Sequence, residues 1–554
     1  MASVTEISDH YVRQLAALSP ITATYIGRPG FEGVLDDLSP AGVARKNDLD
    51  RDTLAQLAAA TPRSADEIVA LQVITERLEL AVETFEAGYT HASLNVIESP
   101  LQNVRMVFDL MATDSDDAWE LIARRMAAVP AALTGYRESL EVAAGRGLVS
   151  ARRQVEKCAT QCRNYAGDEK GGGFFAGLAE TSGRTGALKE RLSAAATDAD
   201  RAYADLGSFL LTSLLPQAPV RDAVGERRYR LAIRDFAGAE LDLAATYAWG
   251  WQEFLAIERE LVEVAARITG GGGPAAAAAA LDSDPDRQLH GTEALRDWMQ
   301  RVSDEAVTEL GREHFDVPDA IRVLECRIAP PGGTTGAYYT GPSDDLSRPG
   351  RMWFAVEPGR EVFHPWRETT VIYHEGVPGH HLQIATQVFQ REHLNDFQRL
   401  LGGTSGHAEG WALYAERLVR ELGYLDDAAL LGMLNDQLFR AARVVLDIGM
   451  HLESEIPPGT GFHEGERWTP ELGLEFLLSR TLTEPRLAAD EIDRYLGWPG
   501  QAPSYKVGER VWLKAREAAR ARHGDAFDLR AFHTAALNLG GMGLDPLRTL
   551  LDRL

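Results

Sequence analysis

The chain has 554 residues, of which 45% are hydrophobic and 25% are charged, a composition that is typical of globular proteins and excludes a disordered or fibrous chain. Its 57 Lys and Arg residues stand against 82 Asp and Glu residues, and the resulting net charge of -25 disfavours non-specific attraction to nucleic acid or to an anionic membrane. We therefore expect a small molecule or a short peptide as the partner, and neither nucleic acid nor membrane.

The start of the chain and its cysteines bear on the cell compartment. The first residues, MASVTEISDHYVRQLAAL, lack a basic segment followed by an apolar one, and no apolar run is long enough to span a bilayer. These features predict a cytoplasmic protein. Cys158 and Cys162 lie one helical turn apart, which is compatible with half of a metal site, but no matching pair follows. We interpret them as two reduced thiols on one helix.

Amphipathic helices dominate the first half of the sequence. Apolar residues recur three and four positions apart in four long stretches, namely 66–88, 116–147, 186–214 and 239–268. The sequence ITGGGGPAAAAAALDSDPD at 268–286 predicts a linker or surface loop whose alanines form a helical turn. We therefore expect a mainly helical N-terminal lobe over residues 1–285 and a second lobe over residues 286–554.

After residue 320 the pattern changes to short β-branched and aromatic runs bounded by Gly and Pro. The runs are IRVLECRIAPPGG, TTGAYYTGP and GRMWFAVEP. They predict a small sheet of two or three strands directly before a histidine-rich segment. Helical periodicity then returns in 404–422, 434–452 and 504–524. The predicted fold class is mainly α with a small β-sheet.

The histidine-rich segment is VIYHEGVPGHHLQ, residues 371–383. In the zinc-helix motif H-E-x-x-H the two histidines are four residues apart, but here Pro378 occupies that position. On a regular helix His380 would lie about 240° around the axis from His374 and about 9 Å further along it. The segment is therefore either a histidine-rich loop or a zinc helix interrupted by an insertion.

The residues between the histidines favour an interrupted helix. Pro378 has no N–H to donate to the carbonyl of His374 and its ring would clash with that group. Gly376 and Gly379 permit unusual backbone angles. We predict that GVPG is looped out or unwound, so that His380 takes the place of the second ligand beside His374.

This arrangement assigns roles to further residues. Glu375 follows the first ligand, as the general base does in zinc hydrolases, and His381 takes a supporting position beside the ligands. A hydrolytic zinc site uses three protein ligands. Glu409 supplies the third from the first turn of the helix TSGHAEGWALYAE, so we predict one zinc ion per chain. Taken alone, Glu409 could instead complement a helix N-terminus, and the histidines could cluster around a proline turn.

Several segments also resemble a known family. HEGVPGHHLQ, HAEGWALYAERL, LFRAARVVLDIGMH, EIDRYLGWPGQAPSYKVGE and FDLRAFHTAALNLGGMGLDPL are similar to the bacterial family catalogued as domain of unknown function 885. The resemblance implies a gluzincin-type, carboxypeptidase-like zinc metallopeptidase with a two-lobed helical fold and zinc at the floor of a cleft. It favours His380 over His381 as a ligand, and Glu409 as the third ligand.

Weaker candidates lie in the last helices. Asp447 and His451 are four residues apart and could pair, which would orient His451 toward a developing oxyanion, or could simply link helices. Arg443, like Arg440, could meet a substrate carboxylate or acidic neighbours. We predict that Tyr505 donates to the tetrahedral intermediate, and that Lys506 binds a terminal carboxylate.

The predicted strands carry a further set of candidates for substrate binding. Tyr338, Tyr339, Arg348 and Arg351 flank the sheet edge, where an extended peptide could add as a strand, although ordinary strand packing would use the same residues. The predicted activity is hydrolysis of short peptides by a metal-activated water with Glu375 as the general base. Hydrolysis or transfer of a non-peptide amide, or an inactive binding protein stabilised by zinc, remain open alternatives.

Overall fold

The computed structural model of the chain describes residues 2–167, 172–329, 336–357 and 359–554. Within these residues α-helices predominate, and short strands form two small sheets. The chain divides into two compact units, one made of residues 1–223 with 496–498 and the other of residues 224–495 with 499–554. The mainly helical fold with a small sheet is thereby confirmed, whereas the lobe boundary at residue 285 stays a prediction.

The first unit is built from helices, several of which pack around a large apolar cluster. Its helices are α1 (Val4–Leu18), α2 (Pro20–Tyr25), α3 (Pro40–Ala59), α4 (Ala65–Ala87), α5 (Pro100–Met106), α6 (Asp116–Gly145), α7 (Arg152–Ala166), α8 (Phe174–Thr181) and α9 (Gly186–Phe209). Met126 of α6, Cys158 of α7 and Tyr203 of α9 are fully buried where these helices pack. Cys158 and Cys162 are free and buried on α7, as expected.

The second unit contains the remaining helices. They are α10 (Gly225–Ala237), α11 (Leu243–Thr269), α12 (Pro274–Ser283), α13 (Thr292–Glu313), α14 (Pro365–Glu375), α15 (His380–Phe389), α16 (Asp396–Leu400), α17 (Ser405–Glu421), α18 (Asp427–Leu452), α19 (Pro470–Arg480), α20 (Pro485–Gly497), α21 (Gln501–His523), α22 (Leu529–Leu537) and α23 (Leu544–Leu551). Helix α18 is almost entirely buried and packs against α11, α14 and α21. It therefore forms the centre of this unit.

The alanine run differs from the sequence-based expectation of a loop with one helical turn. Residues Pro274–Ser283 form a complete helix, α12, with Pro at its first position. Alanine has the highest helix propensity, and Ala277, Ala278 and Leu281 are buried where α12 packs against α11. The glycines at 270–273 suggested a linker, but they mark the end of helix α11.

A three-stranded sheet supports the histidine-rich segment. Its strands are β2 (Leu324–Ile328), β3 (Ala337–Thr340) and β4 (Gly350–Phe354), and β4 pairs in parallel with β2 and antiparallel with β3. A second pair, β1 (Leu289–His290) with β5 (Val362–Phe363), is antiparallel. Met352 of β4 packs in one cluster with Ile372 of α14 and Met299 of α13. Predicted strand residues 330–335 and 358 lie outside the described residues.

Among the described residues, none of the helices combines the length and the apolar character that crossing a bilayer requires.

Candidate metal centre

The helix that carries His374 ends where the sequence predicted an interruption. Helix α14 ends at Glu375 and α15 begins at His380, with a cis peptide bond between Val377 and Pro378. The N–H of Gly379 donates to the carbonyl of Tyr373, six residues earlier, at 3.1 Å. An α-helix instead joins residues that are four positions apart. The predicted break in the helix is confirmed.

The two glycines of the break are needed for close approach. Gly376 and Gly379 have φ values of -97° and -75°, so neither is left-handed. A Cβ on Gly379 would lie 1.9 Å from the carbonyl oxygen of His374, and one on Gly376 would lie 2.5 Å from that of Ile372. The loop can fold back on α14 only because both positions lack a side chain.

A neighbouring helix fastens this loop. The indole N–H of Trp411 on α17 donates to the carbonyls of Pro378 at 2.8 Å and Gly379 at 3.2 Å. The carbonyl of Gly379 also accepts from the N–H of Gln383 in the first turn of α15 at 3.2 Å, so Trp411 adds a second donor there and binds the carbonyl of Pro378 in the loop itself. Since Trp411 lies two residues after Glu409, the same turn of α17 fixes the loop and presents the predicted third ligand.

His374, His380 and Glu409 converge on one point. Their candidate ligand atoms all lie within 4.8 Å of one another. Glu409 Oε2 lies 3.2 Å from Nε2 of His374 and 3.5 Å from Nε2 of His380. Two imidazole nitrogens and one carboxylate oxygen form a donor set that suits zinc. The residues present therefore fit a divalent metal ion.

A fourth residue, Glu416, fixes the orientation of His374. Its Oε1 lies 2.7 Å from Nδ1 of His374, so the ring donates that proton to Glu416 and its Nε2 faces Glu409. A carboxylate behind a ligating histidine is a regular feature of metal sites. The sequence interpretation missed Glu416, although its place seven residues after Glu409 puts both carboxylates on one face of α17.

The cluster is strongly coupled electrostatically. Burial alone would lower the pKa of His374, but its hydrogen bonds to Glu409 and Glu416 raise that pKa well above the ordinary value. Burial opposes ionisation of Glu409, yet the two histidines bring the pKa of this carboxyl well below its usual range. Burial raises the pKa of Glu375, and the neighbouring His380 partly offsets this increase.

The three candidate ligands face a cavity of about 440 Å³ within the second unit. Glu375 lies in its wall, as do five of the residues predicted to meet substrate, namely Tyr338, Tyr339, Arg440, Arg443 and Tyr505. Asp436 of α18 also belongs to its polar lining. Burial raises the pKa of Asp436, which the sequence interpretation had not selected, to about 6. The cavity thus gathers acidic, basic and aromatic groups around the cluster.

Comparison with known proteins places the chain in a family. Residues 20–551 match the family model described as "Bacterial protein of unknown function (DUF885)". The chain belongs to this family. A search of curated proteins found no match.

Solved structures share the fold of this DUF885 protein. "The putative lipoprotein from Colwellia psychrerythraea" aligns over 99% of this chain and 98% of its own, with a TM-score of 0.86 and 23% identity. "A putative lipoprotein of unknown function from Shewanella oneidensis" aligns over 100% of both chains, with a TM-score of 0.75 and 19% identity. "A putative oligoendopeptidase F from Bacillus anthracis str. Ames" aligns over 97% of this chain and 92% of its own, at 11% identity. Its TM-score is only 0.34, which is too low to show a shared fold. The cytoplasmic location stays a prediction.

In this DUF885 protein His381 faces away from the cluster. Its Nε2 lies 2.8 Å from the carbonyl of Ile321 and its Nδ1 lies 2.9 Å from the hydroxyl of Tyr339. Burial lowers the pKa of His381 to about 4, so the neutral ring donates to Ile321 and accepts from Tyr339. Both ring nitrogens are engaged by the protein, and His381 instead ties α15 to the strand β3.

Arg443 lies at the cavity wall but is held by other side chains. Its Nη2 donates to Glu491 at 3.0 Å and its Nε to the hydroxyl of Tyr495 at 3.3 Å. The guanidinium also stacks on the ring of Tyr505, 4.7 Å from its centroid. Arg443 therefore supports Tyr505. Arg440 makes only long contacts with Asp436, from Nη1 to the backbone carbonyl at 3.5 Å and to the carboxylate at 3.6 Å.

Asp447 and His451 are not brought to the cavity and do not hydrogen-bond to each other among the described contacts. His451 lies 2.9 Å from the carbonyl of Tyr495, and burial lowers its pKa to about 4. Asp447 accepts from the hydroxyl of Tyr229 at 2.5 Å and from the N–H of Gly500 at 2.8 Å. These contacts link α18 to neighbouring elements. They agree with the alternative that Asp447 and His451 simply link helices.

The remaining candidates also lie outside the cavity lining formed by the described residues. Lys506 is fully buried and donates to Glu253 at 2.9 Å and to Gln437 at 3.0 Å. Arg348 donates to the carbonyl of Gly341 at 2.8 Å, and Arg351 to Glu325 at 2.9 Å. In this structure these cations bind protein groups.

Proposed function

We propose that the chain is a zinc-dependent hydrolase that cleaves peptide bonds of short peptides and holds one zinc ion per chain. The observation that carries this proposal is the position of Glu375. Its carboxyl lies in the same cavity as His374, His380 and Glu409, one residue after the first candidate ligand. This pairing of three metal ligands with an adjacent, non-ligating glutamate is the arrangement of gluzincin-type metallopeptidases.

His374, His380 and Glu409 would hold the ion. A bound zinc ion acts as a Lewis acid that polarises the scissile carbonyl and makes an attacking water more acidic. Glu375 accepts the proton of that water and then delivers it to the leaving amine. Burial raises the pKa of Glu375 above its ordinary value, which makes this carboxylate a stronger proton acceptor.

The cavity supports a small substrate that carries a carboxylate. A volume of about 440 Å³ matches pockets that hold small ligands and excludes a folded protein. Arg440 lines this cavity, and its buried Nε has no hydrogen-bond partner among the described residues. We therefore assign the C-terminal carboxylate of the peptide to Arg440, which makes the enzyme a carboxypeptidase.

Two aromatic regions would position the rest of the peptide. Tyr505 lies in the cavity wall, and its hydroxyl would donate a hydrogen bond to the tetrahedral intermediate. Tyr338 and Tyr339 belong to β3, an edge strand of the sheet, and also line the cavity. An extended substrate would pair with the edge of β3 through backbone hydrogen bonds.

Digestion of a synthetic peptide library, followed by mass spectrometry, tests this function. We expect the zinc-loaded protein to remove residues from the C-terminus of short peptides, and the Glu375→Gln variant to leave them intact. A matched library with amidated C-termini removes the carboxylate assigned to Arg440 and should be cleaved poorly. Equal cleavage of both libraries would refute the carboxylate assignment, and no cleavage of either would refute peptide hydrolysis.

A further inference from the structure

A buried chain of polar side chains continues from the metal centre into the helical core. Glu416, which holds Nδ1 of His374 through Oε1, accepts from the amide Nε2 of Gln437 through Oε2 at 2.6 Å. The amide oxygen of Gln437 in turn accepts from Nζ of Lys506 at 3.0 Å. Both Gln437 and Lys506 have 0% of their surface exposed. Solvent therefore does not compete for these bonds.

The ammonium group of Lys506 is held in place from its other side. It donates to Glu253 at 2.9 Å and pairs closely with Glu509. Arg417 bridges the same two carboxylates. A buried ammonium is costly unless it is paired and hydrogen-bonded, and here its donors meet two carboxylates and one amide. The ammonium of Lys506, on α21, is thus anchored to α11 through Glu253 and to its own helix through Glu509.

The amide of Gln437 can bridge Glu416 and Lys506 in only one orientation. A carboxylate only accepts hydrogen bonds and an ammonium only donates them, so the NH2 group must face Glu416 and the oxygen must face Lys506. The NH2 group has a second, longer contact to the carbonyl of Leu413 at 3.5 Å. The bridge therefore fixes the plane of the Glu416 carboxylate without adding a charge of its own.

We propose that Gln437 is a positioning residue of the metal centre. Anchored by Lys506, it holds Oε2 of Glu416, so that Oε1 takes the Nδ1 proton of His374 and the lone pair of Nε2 points toward the metal ion. This inference rests on the metal site of the proposed function. It also gives Lys506 a role that requires burial rather than contact with substrate.

Metal affinity tests the proposal independently of turnover. The dissociation constant for zinc is measured by competition with a chelator, and the absorption spectrum of the cobalt-loaded protein reports the ligand geometry. Gln437→Met keeps the length of the side chain and removes the hydrogen bonds to Glu416 and Lys506. We expect about tenfold weaker zinc binding and a changed cobalt spectrum, since the loss of groups behind metal ligands weakens binding by 10- to 100-fold.

Two further variants sharpen the comparison. Gln437→Glu keeps the acceptor for Lys506 but faces Glu416 with a second carboxylate, so we expect zinc binding to weaken again. Gln102→Met is the matched control, because Gln102 is a buried glutamine of the first unit whose amide donates to the carbonyl of Asn95 at 2.7 Å. It should bind zinc as the wild-type protein does.

The outcomes separate this inference from the proposed function. Wild-type affinity in a folded Gln437→Met variant would refute the positioning role and leave the metal site intact. If Gln437→Met does not fold, wild-type affinity in Gln437→Glu would refute the role in the same way. An equal loss of affinity in Gln102→Met would show general loosening and also refute it. Failure of the wild-type protein to bind any divalent metal would overturn the proposed function and this inference together.

Discussion

The carbonyl oxygen of His374 lies where a side chain on residue 379 would begin, 1.9 Å from the position of a Cβ on Gly379. Gly379→Ala must therefore push the loop away from α14 and displace His380, the next residue. We expect this variant to lose bound zinc while α-helical content, measured by circular dichroism, stays close to that of the wild-type protein.

The matched control for that substitution is Gly403→Ala. The nearest atom to its new Cβ is the Cα of Gly541 at 3.9 Å, an ordinary van der Waals distance. This variant should retain zinc. If Gly379→Ala also retained full zinc content, the close approach would not matter for the site.

The two adjacent histidines are expected to differ in their effect on metal content. His380→Ala removes one of three candidate ligands, so elemental analysis should show loss of zinc. His381→Ala removes only the bonds to Ile321 and Tyr339 and should keep about one zinc per chain. The opposite pattern would reverse the assignment of the ligand.

Glu375→Gln is expected to separate proton transfer from metal binding. Glu375 is not part of the three-residue ligand cluster, and glutamine has nearly the same shape. The variant should bind zinc and unfold at the wild-type temperature, yet kcat should fall by several orders of magnitude because the proton acceptor is gone. Loss of zinc instead would make Glu375 a ligand.

Stability should depend on pH through Asp447. Burial raises its pKa from 3.8 to about 7, so the folded protein favours the protonated carboxyl. The stabilisation is complete below the ordinary pKa and is lost as the pH rises through about 7, a change of about 4 kcal/mol in the free energy of unfolding. Asp447→Asn retains an acceptor for Tyr229 and Gly500 but does not titrate.

Thermal unfolding of both proteins at several pH values measures this effect. The Tm of Asp447→Asn relative to that of the wild-type protein should rise between roughly pH 4 and pH 8. Parallel pH profiles would show that Asp447 does not ionise over this range.

The break between α14 and α15 could be predicted because it depends on local chemistry. Pro378 removes a backbone donor, and this effect does not require knowledge of the tertiary structure. The convergence of Glu409 followed from the need for a third ligand and from a recognisable helix start at Thr404, whose side chain caps α17. Local rules sufficed for the break, whereas Glu409 lies 35 positions from His374 and its assignment also drew on the family resemblance.

Contacts between distant helices could not be predicted in the same way. Lys506 was expected to meet substrate, but its partners Glu253 and Gln437 lie on other helices, 253 and 69 positions away in the sequence. Asp447 and His451 have the spacing of a pair, yet each finds a better partner on another element. Spacing within one helix shows which residues can meet and does not exclude competing partners.

The hydrogen bonds from Trp411 to the loop carbonyls have a consequence for the rate of metal exchange. Because Trp411 belongs to the helix that also carries Glu409, the loop before His380 and the carboxylate of Glu409 are held to each other by protein contacts alone. An ion entering the cavity meets a site that is already assembled and has little chain entropy left to lose. If the proposed site binds zinc, we expect its uptake to be limited by diffusion through the cavity mouth and by loss of water from the ion, rather than by folding of the loop.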